Sequence, residues 1–133
     1  MKNVLATIVG LIVAFIITSS FEWLSTQLFP LPADAKPMDT EWLKANIDKI
    51  PFGAMVLVSI AHGLGIIAGM YVAGKISKVS LTPAYIVATL MVIGTLANLF
   101  MIPHPTWFMI ADIITVAVGF FLGKSLAQRN VFA

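Results

Sequence analysis

Cysteine is absent from the chain, which removes disulfides, thiolate metal ligands and thiol nucleophiles from consideration. Charge is scarce as well. Asp, Glu, Lys and Arg make up 11% of the 133 residues, against about 25% in soluble domains. So few charged groups cannot cover a water-facing surface. No phosphate-cradling glycine loop, nucleophile elbow, HExxH or CxxC pattern occurs, so the common catalytic frameworks have no foothold. The eight basic residues are dispersed and the net charge is only +2, which leaves no electrostatic footprint for nucleic acid. The two halves of the chain do not align convincingly with each other.

What the sequence does have is apolar length. Hydrophobic residues make up 59% of it, and its mean hydropathy is +0.98. A single soluble core of this size would leave most of them facing water, so the bilayer must be the solvent. A membrane-crossing helix needs about 20 mostly apolar residues. Four stretches qualify, at residues 4–29, 52–74, 81–102 and 107–122. The expected fold is all-α, a single membrane domain over residues 1–133 built as a four-transmembrane-helix bundle. FPLPADAKP, Pro51, KISKVSLTP and IPHP mark the breaks. The last two connections are short, which makes neighbouring helices antiparallel.

Basic residues set the direction. Lys2, Lys75, Lys78, Lys124 and Arg129 fall on one side of the four spans, and Lys36, Lys44 and Lys49 on the other. That bias places both termini in the cytoplasm. The first span opens like a secretory signal, MKNVLATIVGLIVAFIITSS. Apolar character resumes with Phe21, Trp23, Leu24, Leu28 and Phe29, so an uncleaved anchor is expected. In the outer loop, 30–51, Asp39 or Thr40 can cap a short helix. Leu43, Ile47 and Ile50 recur along it, and it would lie in the headgroup layer with Trp42 and Leu43 pressed inward. A lid over the bundle is the expected role, with a gate or docking site as the alternative.

Lipid tails are as apolar as leucine, so close backbone approach at small residues must hold the helices together. Ala61, Gly65, Gly69 and Ala73 recur every four residues in the second span. Thr115, Gly119 and Gly123 repeat the pattern in the fourth, Ala6, Gly10 and Ala14 in the first, and Ala84, Ala88 and Gly94 more loosely in the third. Such rows fit contacts inside one bundle, or seams of a homo-oligomer or larger membrane complex. The bilayer is the one partner the composition demands.

Ionisable groups in hydrocarbon are costly, face the protein interior and are candidate sites. Here they are Glu22, His62 and Asp112, with uncharged Asn98 as companion and His104 at the outer turn. At about 1.5 Å per residue, Glu22 lies about 10 Å below the outer end of its span, Asp112 about 8 Å, Asn98 about 6 Å and His62 about 15 Å. Three share an outer layer, with His62 one to two turns deeper and His104 above. At 100° per residue, His62 lies on the Gly65/Gly69 face and Asp112 on the Gly119/Gly123 face. Glu22 continues the row of Ala14 and Thr18, which drifts around its helix.

Two carboxylates and an imidazole held together in low dielectric can share protons. Each also has a plain structural reading: Asp112 as a helix-start acceptor, Glu22 reaching outward, His62 bonding across a glycine seam. A metal or haem site is disfavoured by the depth difference between His62 and His104, so no cofactor is expected. The IPHPTWF turn reads first as architecture. Pro103 ends a span, Pro105 starts the next where its missing N–H is harmless, and Trp107 joins Trp23 and Trp42 in an interfacial belt.

AGMYVAGKIS (residues 68–77) together with MIPHPTWF (residues 101–108) resembles segments of small four-helix bacterial membrane proteins without an assigned function. The likeness covers most of the chain. It implies a bacterial inner-membrane location and transfers no functional residue. Two functions follow from the residues themselves. The first is a non-enzymatic assembly or accessory component packing through its small-residue seams. The second is a proton- or cation-coupled small-molecule transporter using Glu22, His62 and Asp112, its ligand unspecified.

Overall fold

A computed structural model describes residues 1–132. Its helices are α1 (Lys2–Leu28), α2 (Thr40–Asn46) continued by a 3-10 turn (Ile47–Lys49), α3 (Phe52–Ser77), α4 (Thr82–Met101) and α5 (Thr106–Val131). Four of them, all but α2, are long and apolar enough to cross a membrane. The protein is thus an all-helical, multi-pass membrane bundle in contact with lipid.

Prolines write most of the boundaries. Pro51 and Pro105 sit at the N-caps of α3 and α5, and Pro83 lies in the first turn of α4, positions where a missing N–H leaves no bond unmade. α4 stops at Ile102, in extended conformation ahead of Pro103, as the residue before a proline prefers. α3 ends on Lys78 in the left-handed region, φ 58°, whose N–H donates to the Gly74 carbonyl. α5 runs well past the apolar window, to Val131. Its last turns, with Lys124, Gln128 and Arg129, are polar yet good helix formers, and Ala127 there is buried against Gly74.

α3 is the hub, packing along α1, α5 and α4, whereas α4 and α5 touch each other only lightly. Its seam with α1 is antiparallel and keeps a constant register. Ser77 meets Asn3, Gly69 meets Gly10, Gly65 meets Ala14, Ala61 meets Thr18, and Ala54 meets Ser25. A Cβ on Gly69 would sit 2.7 Å from the Ala14 Cβ and 2.9 Å from the Gly10 carbonyl oxygen. The seam with α5 is parallel. Gly63 lies against Thr115 and Gly119, Ile67 and Met70 against Gly123, and Gly74 against Ala127. Both rows are therefore used inside the chain. Gly94 departs from its expected packing role: nothing lies within 4 Å of a Cβ built there. The α4 face turned to α3 carries Ala84, Val87 and Ala88 instead.

Two apolar clusters divide the interior. Ile66, Met70, Ala73, Val87 and Ala127 form one near the basic end, with Met55, Leu99 and Phe108 forming the other at the α2 end. Ile47 and Ile50 pack onto the second cluster, so the turn after α2 covers that end of the bundle. Asp39 is the α2 cap, accepting from the N–H groups of Glu41 at 3.0 Å and Trp42 at 3.2 Å.

A buried His–Asp pair beneath a half-apolar cavity

The registers of the two seams bring three ionisable side chains into one group. On α3 and α5, Ser59 faces Thr115 and Gly63 faces Gly119. This places the His62 backbone about one turn deeper than that of Asp112. Side chains on a helix lean toward its N-terminus, so the imidazole reaches back across that step. His62 Nδ1 lies 2.8 Å from Asp112 Oδ1, with the ring N–H donating to the carboxylate. On antiparallel α1, the same lean carries Glu22 the other way, toward the imidazole. Its Oε1 lies 3.8 Å from His62 Nε2. The expected depth gap between His62 and the two acids is closed by side-chain direction.

The three differ sharply in solvation. Asp112 is completely buried and its Oδ2 has no hydrogen-bond partner among the described residues. His62 is buried, and the Glu22 side chain is 44% exposed. The chain of groups thus runs from an accessible carboxylate, through an imidazole, to a carboxylate sealed between helices. Buried carboxylate–imidazole contacts of this kind fix the ring tautomer and leave Nε2 directed at the exposed partner.

Hydroxyls brace the group on both seams. Thr115 donates to the carbonyls of Ser59 and Asp112, each at 2.9 Å. The Thr115 hydrogen being so engaged, Ser59 is the donor in the 2.9 Å Ser59–Thr115 hydroxyl contact. On the α1 side, Thr18 donates to Ala61 at 3.3 Å and Ser25 to Ala54 at 3.1 Å. Ser59 went unremarked in the sequence; a serine one turn before an in-facing histidine was the available signal.

Glu22 also forms part of a cavity of about 270 Å³ at the α2 end. Ser25, Thr26, Asn98 and His104 supply its other polar groups, and Met55, Val58, Phe108, Leu43, Ile47 and Ile50 much of its apolar wall. Asn98 and His104 therefore share this space with Glu22, while His62 and Asp112 lie behind it. Among the described residues, no lysine or arginine lines it. His104 stacks on Phe108 with ring centroids 4.6 Å apart, and its Nδ1 donates to the Ile102 carbonyl at 2.9 Å. Burial holds the His104 imidazole below its ordinary pKa, and nearby His62 adds to that; the Ile102 bond and the Asp112 charge pull the other way. Phe108, 1% exposed, was read in the sequence only as part of a turn.

Elsewhere the clefts are apolar. A shallow depression on α1, around Phe15, Ile16 and Trp23, is lined by that helix alone and holds no titratable group. No cluster of three or more His, Asp or Glu side chains among the described residues is arranged to hold a metal ion. The group can pass a proton: one taken at Nε2 from Glu22 releases another from Nδ1 to Asp112, with the tautomer exchanged. Comparison of the chain with protein-family models, with curated proteins and with solved structures finds no match.

Proposed function

We propose that this protein is a small proton-coupled carrier of the bacterial inner membrane, with both termini cytoplasmic and the α2 end outside. In it, Glu22, His62 and Asp112 form the proton-exchanging site and the cavity above Glu22 receives the small molecule. One observation carries this reading: a cavity-facing carboxylate 3.8 Å from His62, whose ring is hydrogen-bonded to a fully buried carboxylate with an unpartnered oxygen. Net charge is expensive in hydrocarbon. When Glu22 gives up its proton the cavity gains one negative charge, which a monovalent cation can balance. Proton and cation then compete for one carboxylate, which is the requirement for exchange.

The small-residue rows of α1, α3 and α5 pack inside the bundle; the polar group they bring together is what favours a carrier over an assembly or accessory component. The test uses proteoliposomes with an imposed pH gradient and a panel of labelled monovalent cations: sodium, potassium, tetramethylammonium and dodecyltrimethylammonium. Gradient-driven uptake of at least one is expected, with loss of coupling in both Glu22→Gln and Asp112→Asn. Uptake that ignores the gradient for every cation, or coupling unchanged in both variants, would sink the carrier reading.

A further inference from the structure

Resting on the carrier reading, we infer that the ligand is an amphipathic monovalent organic cation, reaching the cavity sideways from the bilayer between α4 and α5. The chemistry of the walls selects the head of such a molecule. Among the described residues, Glu22 is the sole acidic side chain lining the cavity, and no lysine or arginine lines it. The Glu22 carboxylate makes no hydrogen bond among the described residues beyond its 3.8 Å approach to His62. His104 and the edge of the buried Phe108 line the same cavity. A carboxylate set in an apolar shell suits an ammonium carried on carbon. Such a cation is held by charge and by the apolar wall without needing to donate a hydrogen bond. A bare metal cation would want several oxygens around it, and most of this wall is hydrocarbon.

The tail has its own space. Between α4 and α5 lies a second cleft, of about 290 Å³, lined by Val92, Thr95, Leu96, Leu99, Ile113 and other side chains of the same two helices. It exposes no polar surface. Leu96 and Ile113 are exposed on the flank that meets lipid, so the cleft opens to acyl chains. Leu99, which also lines this cleft, packs in one buried cluster with Phe108 and Met55, both of which line the polar cavity. The partition between cleft and cavity is therefore this buried cluster, beside the light α4/α5 contact. An alkyl chain occupying the cleft positions a cationic head at that partition, beside Phe108 and above Glu22. Binding displaces the Glu22 proton, which leaves as H⁺ while the ammonium takes its place as counter-charge.

Quaternary ammonium ions carry no exchangeable proton, so any proton released on their binding comes from the protein. The experiment adds dodecyltrimethylammonium, below its micelle concentration, to the full chain in weakly buffered nanodiscs of zwitterionic lipid, and tetramethylammonium in parallel. The expected result is release of about one proton per chain with the long-chain ion, abolished in Glu22→Gln, and little release with the short one at equal concentration. Leu96→Trp, at the lipid-facing mouth of the cleft, should slow the long-chain response at least tenfold; Ala117→Phe, at another exposed lining position, is the second blocking variant should the first misassemble. Release by tetramethylammonium that depends on Glu22, with none by the long-chain ion, would overturn the inference and leave the carrier reading standing. A long-chain response unaffected by both blocking variants would overturn the lateral route. No Glu22-dependent release by any cation would remove inference and carrier reading together.

Discussion

Consider Gly119→Ala. The added methyl would lie 2.6 Å from the Gly63 carbonyl oxygen and 2.9 Å from the Gly63 Cα, both backbone atoms with no rotamer to yield. Ordinary contact begins at 3.4 Å, so α3 and α5 must part by about 0.8 Å, and the cost of such overpacking is about 1–3 kcal/mol. The same parting carries the 2.8 Å His62–Asp112 contact to about 3.6 Å, beyond hydrogen-bond range. An interhelical hydrogen bond in a membrane protein contributes about 0.6–1.7 kcal/mol, so the whole loss comes to about 2–5 kcal/mol. Gly94→Ala is the control, because its methyl meets nothing. Unfolding by rising dodecyl sulfate in mixed micelles, followed by far-ultraviolet circular dichroism, gives the comparison. The Gly119 variant should unfold at clearly lower denaturant, with the Gly94 variant at or above the parent. Coincident midpoints for the two variants would refute the close-packed α3/α5 seam and its tie to the buried pair.

Two further outcomes follow from the site. Asp112→Ala leaves the His62 N–H buried and unpaired, and should cost about 1–3 kcal/mol in the same assay, whereas Asp112→Asn keeps an acceptor in place and should cost less than half as much; equal losses would mean that the hydrogen bond is not what Asp112 contributes. His104 gives a pH signature: its pKa is lowered by burial, so the folded state resists protonation. The His104 contribution to stability is complete above its unfolded value of about 6.5, and falls away as the pH drops from there toward the lowered folded value. His104→Gln should flatten the decline in dodecyl-sulfate midpoint over that window, and an unchanged slope would contradict the burial of the ring.

The four spans were legible because hydrocarbon imposes a length and proline imposes stops. Residues 107–122 fell short of the end of α5 for a related reason: hydropathy reports the solvent around a helix, and the helix itself persists through Lys124, Gln128 and Arg129 after its surroundings turn polar. Angular arithmetic put His62 and Asp112 on their glycine faces, yet depth arithmetic separated them. Counting Cα rise omits the lean of the side chain, which here brings His62 to Asp112 across the step between the helices. Glu22 was harder still, because a row of fours drifts around an α-helix and only the α1/α3 register decides where it ends. Small-residue rows state that something approaches closely without stating what. That α1 and α5 are the occupants, and that Gly94 has none, depends on contacts distant in sequence.

The hub arrangement has a mechanical consequence. Three of the membrane-crossing rods contribute to the charge group, Glu22 from α1, His62 from α3 and Asp112 from α5; α4 contributes nothing to it. α4 packs on α3 and α1 but only lightly on α5, so a shift of α4 leaves all three charged groups and the imidazole's hydrogen bond in place.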